Sequence, residues 1–190
     1  MNKTELFARV DAQRDSLADI AHKLWDYAEV AFQEVNSSAL LRTYMEGLGF
    51  KIHEVPNLPT AFIAEYGSGY PVIGLLGEYD ALPGLSQKAQ TTQEPVTEGG
   101  SGHGCAHNLL ATGCAGAAIA LKDLIDADQI KGTIRYYGCP AEEQLVGKPL
   151  MAKEGVFDDL DIVLSWHPAN NNEVVPVSYT HLTLPTIRLV

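Results

Sequence analysis

The sequence is poor in cysteine and in positive charge, and each shortage removes a class of function. Only Cys105, Cys114 and Cys139 stand in 190 residues. An odd number with no paired spacing is not a disulfide framework. Cysteine is then available for packing or for a metal, and a reducing, cytoplasmic setting is expected. There is no Cys-x-x-Cys and no Gly-x-Gly-x-x-Gly after a strand-like run, which argues against a thiol-redox or nucleotide-binding domain. Lys and Arg number 13 against 24 Asp and Glu, a formal net charge of −11. No basic cluster interrupts that acidity, so no nucleic-acid partner is expected. No apolar run is read as membrane-spanning, and the start is charged and amphipathic rather than signal-like, so no membrane partner is expected. No internal repeat is visible.

What is present suits one globular unit. The hydrophobic fraction is 46% and the charged fraction 19%, enough to bury a core. Leu6, Val10, Leu17, Ile20, Ala21, Leu24 and Trp25 recur at helical spacing, which predicts one long first helix ending near Ala28. Asn36 or Ser37 can cap a second helix that Gly47 and Gly49 end. Strands are predicted over residues 51–55, 61–66, 71–76, 132–138 and 160–166, and a short helix over 148–154. The 71–76 run is nearly all apolar, as a strand buried on both faces should be. Strands alternating with helices predict an α/β protein with helices on both sides of a sheet.

The most informative stretch is residues 99–108, Gly-Gly-Ser-Gly-His-Gly-Cys-Ala-His-Asn. In an extended segment side chains two apart share a face, which would bring His103, Cys105 and His107 together. Thiolate plus imidazole is a transition-metal ligand set. Asn108 is a possible N-cap for a helix over residues 109–121. The start of that helix, aimed at Cys105, would favour the thiolate.

Three further polar clusters fall just after predicted strands: Glu78 with Asp80, Glu142 with Glu143, and His167. In an open α/β sheet the carboxyl ends of the strands line one crevice. Singly, each cluster has a bland explanation as a solvated turn, a cap or a strand end. Together they suit metal-assisted hydrolysis, which needs ligands and also a carboxylate that moves a proton.

Gly77-Glu78-Tyr79-Asp80-Ala81-Leu82, the 102–110 loop, Gly138-Cys139-Pro140-Ala141-Glu142-Glu143, and the 155–159 turn leading to Trp166-His167-Pro168 resemble the metal-dependent amidohydrolases of peptidase family M20. The resemblance covers about residues 5–170. It implies a three-layer α/β/α metallohydrolase of zinc-exopeptidase type. It implies two divalent metal ions, Mn²⁺ or Zn²⁺, with Cys105, His107, Glu143 and His167 as ligands. Glu142 would be the general base, with Asp80 supporting the site. The implied substrate is a small-molecule amide of an N-acyl or aroyl amino acid, p-aminobenzoyl-glutamate being the expected one. A homo- or hetero-oligomer is implied at full length. A non-catalytic partner subunit of a heteromeric hydrolase is the rival implication, and the intact ligand and base set argues against it. His103 receives no role beyond a structural one.

Two departures accompany the resemblance. The family loop often has Gly where this chain has Ala106. Family members also continue well past residue 176, with a lid or dimerisation domain and a further histidine ligand. Residues 1–176 are therefore expected to be the N-terminal part of the catalytic domain. Residues 177–190 resemble translated adaptor read-through and are expected to be a non-native tail, so His181 is not taken for the missing ligand.

Overall fold

The computed structural model describes residues 3–170; the tail assigned to 177–190 lies outside them. The chain runs α1 (Lys3–Asp11), α2 (Arg14–Tyr27), α3 (Val35–Gly47), β1 (Lys51–Glu54), β2 (Phe62–Ser68), β3 (Val72–Glu78), α4 (His107–Asp126), β4 (Gly132–Cys139), a 3-10 turn (Glu142–Gln144), α5 (Gly147–Lys153) and β5 (Ile162–Leu164). The sheet order is β1-β2-β4-β3-β5. β1, β2 and β4 are antiparallel neighbours, whereas β3 runs parallel to both β4 and β5. The parallel β3–β4 pair is joined through α4, since parallel neighbours need a long crossover.

That mixed topology positions the chemistry. Glu78 pairs in register with Cys139, and Leu75 with Leu164. The residues that follow β3, β4 and β5 therefore leave the sheet along one edge. Helices α2, α3 and α4 pack on one face with Phe62, Leu75, Ile134 and Tyr136. On the other face Met151 of α5 joins Val55, Ile63 and Tyr137, with Phe157 and Leu160 packed against them. The predicted three-layer α/β/α arrangement is thus observed.

Helix α4 has the length and hydropathy of a membrane span, but 61% of its apolar window is buried inside the fold, as in a core helix. Its small residues admit neighbours closely. A Cβ on Gly113 would meet the Trp166 indole at 2.7 Å, and one on Gly116 would meet Leu17 at 2.8 Å. Trp166 therefore lies against α4, its Nε1–H donating to the Leu110 carbonyl at 3.3 Å. This contact fixes the chain just before His167.

Some local expectations change. The single long first helix is two, broken at Ala12 and Gln13. Val10 and Leu17 stay on one apolar stripe across the break, so periodicity does not register it. Helix α3 begins at Val35, and no side chain of its own caps it. Instead the Glu29 carboxylate accepts the N–H groups of Asn36 and Ser37 at 2.9 and 2.8 Å, an anion at a helix N-terminus. Asn108 likewise does not cap α4; the helix starts at His107 after Ala106, and the Asn108 amide donates to the Ala21 carbonyl.

Two buried tyrosines give a paired test. The Tyr79 hydroxyl donates to the Thr60 carbonyl, whereas the Tyr136 hydroxyl is buried without a partner. Removing half of a buried hydrogen bond costs about 1–3 kcal/mol, while removing an unsatisfied hydroxyl does not. Tyr79→Phe should lower the denaturation midpoint, and Tyr136→Phe should leave it unchanged or raise it. A clear loss in Tyr136→Phe would mean that its hydroxyl has a partner after all.

Candidate metal centre

Four segments converge at the carboxyl edge of the sheet. β3 delivers Glu78 and Asp80, the loop into α4 delivers Cys105 and His107, the turn after β4 delivers Glu142 and Glu143, and the segment after β5 delivers His167. At their centre is His107, which is fully buried. Its Nδ1–H faces Asp80, 3.0 Å from Oδ1 and 3.1 Å from the backbone oxygen. That contact fixes the tautomer and turns Nε2 inward. Nε2 is buried and has no hydrogen-bond partner.

Two donor groups meet at this histidine. Cys105, His107 and His167 form one, and Glu78, His107 and Glu142 form the other, each with its ligand atoms within 4.8 Å of one another. The Cys105 sulfur is 3.1 Å from His167 Nε2. Glu78 and Glu142 oxygens stand 3.3 and 3.7 Å from His107 Nε2. Glu143 donates its backbone N–H to Asp80 Oδ2 at 2.9 Å. Its Oε1 is buried, unpartnered and 3.9 Å from His107 Nδ1. Asp80 thus holds both His107 and Glu143.

Electrostatics at the site run counter to one expectation. Burial, then the neighbouring Glu143, Glu142 and Glu78 carboxylates, pushes the Cys105 thiol up to about 11. The start of α4 does not offset those charges. Burial opposes a charge on His107, but the Asp80 hydrogen bond and the surrounding carboxylates outweigh it and raise its pKa. Burial raises the Glu143 carboxyl as well. Four carboxyl groups, a thiol and two imidazoles are packed together, and Lys148 is ion-paired to Glu78. Orphaned imidazole and carboxylate atoms beside a thiol form an N, O and S donor set that suits a divalent transition metal. On this observation the residues fit the metal that the family resemblance implies.

His103 does not join the cluster. The loop is not extended there, and His103 Nε2 bonds the Leu24 carbonyl at 2.9 Å. Burial lowers its pKa to about 4, so it is a neutral brace. It is one of several contacts from the end of α2 and the turn after it. Ser101 Oγ donates to the Ala28 carbonyl, and Ala81 N–H donates to the Glu29 carbonyl at 2.8 Å. Glu34 accepts the Ala141 N–H at 2.8 Å. The segment behind the site therefore bonds to the loops that carry Asp80, Cys105 and Glu142. Glu34 and Lys148 carried no signal in the sequence, since a lone Glu in a turn and a Lys opening a short helix are unremarkable.

Residues 74–183 match the model of peptidase family M20/M25/M40. The chain is 50% identical over 161 residues to a subunit of the p-aminobenzoyl-glutamate hydrolase of Escherichia coli K12, a match covering 84% of this chain and 34% of that protein. Human Xaa-Arg dipeptidase is 28% identical over 182 residues, covering 86% of this chain and 38% of the relative. Among solved structures, the YXEP protein of Bacillus subtilis, described as a dinuclear metal-binding peptidase from the M20 family, aligns with a TM-score of 0.70 at 28% identity. That alignment covers 85% of this chain and 44% of that one. The aminobenzoyl-glutamate utilization protein of Klebsiella pneumoniae shares the fold, with a TM-score of 0.64 at 15% identity over 87% of this chain and 46% of that one. The chain spans about a third of the length of the curated relatives it matches.

The brace behind the loop is directly testable. His103→Ala removes the Leu24 hydrogen bond and leaves a void, and should destabilise the fold by about 2–4 kcal/mol. Denaturant unfolding measures this, and an unchanged midpoint would show that the loop does not depend on it.

Proposed function

This chain belongs to peptidase family M20, and on that premise we propose that residues 1–176 are the N-terminal part of the catalytic domain of a metal-dependent amidohydrolase. The substrate in this proposal is an N-acyl or aroyl amino acid, with p-aminobenzoyl-glutamate favoured by the 50% identity to the E. coli hydrolase subunit. The observation that carries it is the orphaned Nε2 of His107, facing sulfur, imidazole and carboxylate donors from four chain segments. Cys105, His107, Glu143 and His167 are the proposed ligands of two divalent ions, Mn²⁺ or Zn²⁺. When bound, such ions polarise the scissile carbonyl and acidify water.

The remaining steps belong to the chain's own residues. Asp80 holds the His107 tautomer and the Glu143 peptide. Glu142, part-exposed and 3.7 Å from His107 Nε2, takes the proton of the attacking water and returns it to the leaving nitrogen. A carboxylate in that role contributes about 10²–10⁴-fold in rate. The protein is proposed to work in the cytoplasm and to form a homo- or hetero-oligomer at full length. A second reading, a non-catalytic partner in a heteromeric hydrolase, is favoured by the relative's being one subunit of its enzyme.

Elemental analysis after dialysis should find Mn or Zn bound to this chain, lost in Cys105→Ser. Metal-free protein in both cases would count against the site. In the enzyme at its relatives' full length, Glu142→Ala should keep its metal and lose turnover by about 10²–10⁴-fold. Turnover at the wild-type rate would remove Glu142 from the base role. Hydrolysis by the full-length chain without any partner would reject the second reading.

A further inference from the structure

Glu34 sits just ahead of α3 and has 0% relative exposure. Its Oε1 accepts the Ala141 N–H at 2.8 Å, across 107 residues of sequence. Its Oε2 is buried and has no hydrogen-bond partner. A carboxyl placed so is costly, because burial strips water that nothing fully replaces. Burial accordingly raises its pKa. An apolar side chain of the same size would not carry that cost but could not accept an N–H. The one hydrogen bond that the carboxyl receives from another segment is therefore the feature to explain.

That N–H belongs to the turn that carries Glu142 and Glu143. Ala141 is left-handed at φ +56°, a conformation with an energetic cost for any residue with a Cβ. It turns the chain from β4 straight into Glu142 and Glu143. On its other side the Ala141 carbonyl accepts the Gly147 N–H at 3.3 Å. Gly147 comes so close that a Cβ there would lie 1.6 Å from the Pro140 oxygen. The turn is thus held within itself by Gly147 and from outside at two points, by Glu34 at Ala141 and by Asp80 at Glu143.

We infer that Glu34 is a positioning residue of the site: its carboxyl fixes the Ala141 turn and thereby aims Glu142 and Glu143 at His107. Its functional consequence rests on the metal-centre reading above. Glu34 is in neither donor group, and its hydrogen bond to the site runs through the Ala141 peptide. Two variants separate acceptor from volume. Glu34→Gln keeps a carbonyl oxygen for the N–H, and Glu34→Met keeps the volume without it.

The test is hydrogen exchange over residues 140–146 together with Co²⁺ titration, read by thiolate-to-cobalt absorption, on the wild-type chain and both variants. Glu34→Met should speed exchange of that segment and weaken Co²⁺ binding by about 10–100-fold, the usual loss when a residue behind a ligand is removed. Glu34→Gln should restore both. Wild-type exchange in Glu34→Met, or equal losses in the two variants, would overturn the assignment. If the wild-type chain binds no Co²⁺, the metal-centre reading fails, and exchange alone still decides whether Glu34 holds the turn. An unfolded Glu34→Met leaves the decision to Glu34→Gln, whose loss of slow exchange would likewise overturn it.

Discussion

The Asp80 carboxylate ties together two of the segments that meet at the carboxyl edge of the sheet. One oxygen holds His107 Nδ1 and the other holds the Glu143 N–H. A single side chain at the end of β3 thus sets the imidazole of one loop against the carboxylate of another. Because Nδ1 is taken, Nε2 is the only imidazole atom left to face the interior of the site. The next residue, Ala81, is tied to the Glu29 carbonyl, so Asp80 is itself held from behind. A strand end bonded on both sides holds the donor groups in a fixed arrangement better than a free loop would.

The arrangement concentrates negative charge where the fold provides little to balance it. Glu78, Asp80, Glu142 and Glu143 all lie within reach of His107, and Lys148 pairs with Glu78. Like charges gathered in a partly buried site destabilise one another, and this repulsion adds to burial, the larger cause, in raising the Glu143 and Cys105 pKa values. Divalent cations are the natural counter-charge. The same polar residues therefore make the site suited to hold one.

Backbone strain follows the same map. Ala106 precedes His107 at φ +60° and Ala141 precedes Glu142 at φ +56°. Both left-handed alanines stand where the chain must turn abruptly to present a polar side chain. Glycine would adopt the Ala106 conformation without the Cβ cost. The turn after α2 supplies bonds that hold these loops. An N-terminal segment with no chemistry of its own is in this way part of the site's construction.

The sequence by itself determined the elements and the chemistry of the side chains. A nearly all-apolar run named β3, because a strand buried on both faces carries few polar residues. Acidic and imidazole residues just past those runs named the crevice, because strand ends in such sheets open on one edge. Periodicity could not see the break at Ala12 and Gln13, since the apolar stripe continues across it. The tertiary structure decided what local rules could not reach. It sent His103 to the Leu24 carbonyl rather than to Cys105, because the loop folds instead of extending. It capped α3 with Glu29, and it placed Glu34 against Ala141 across 107 residues of chain. Such contacts join segments far apart in sequence, and only the packed fold brings their atoms within bonding distance.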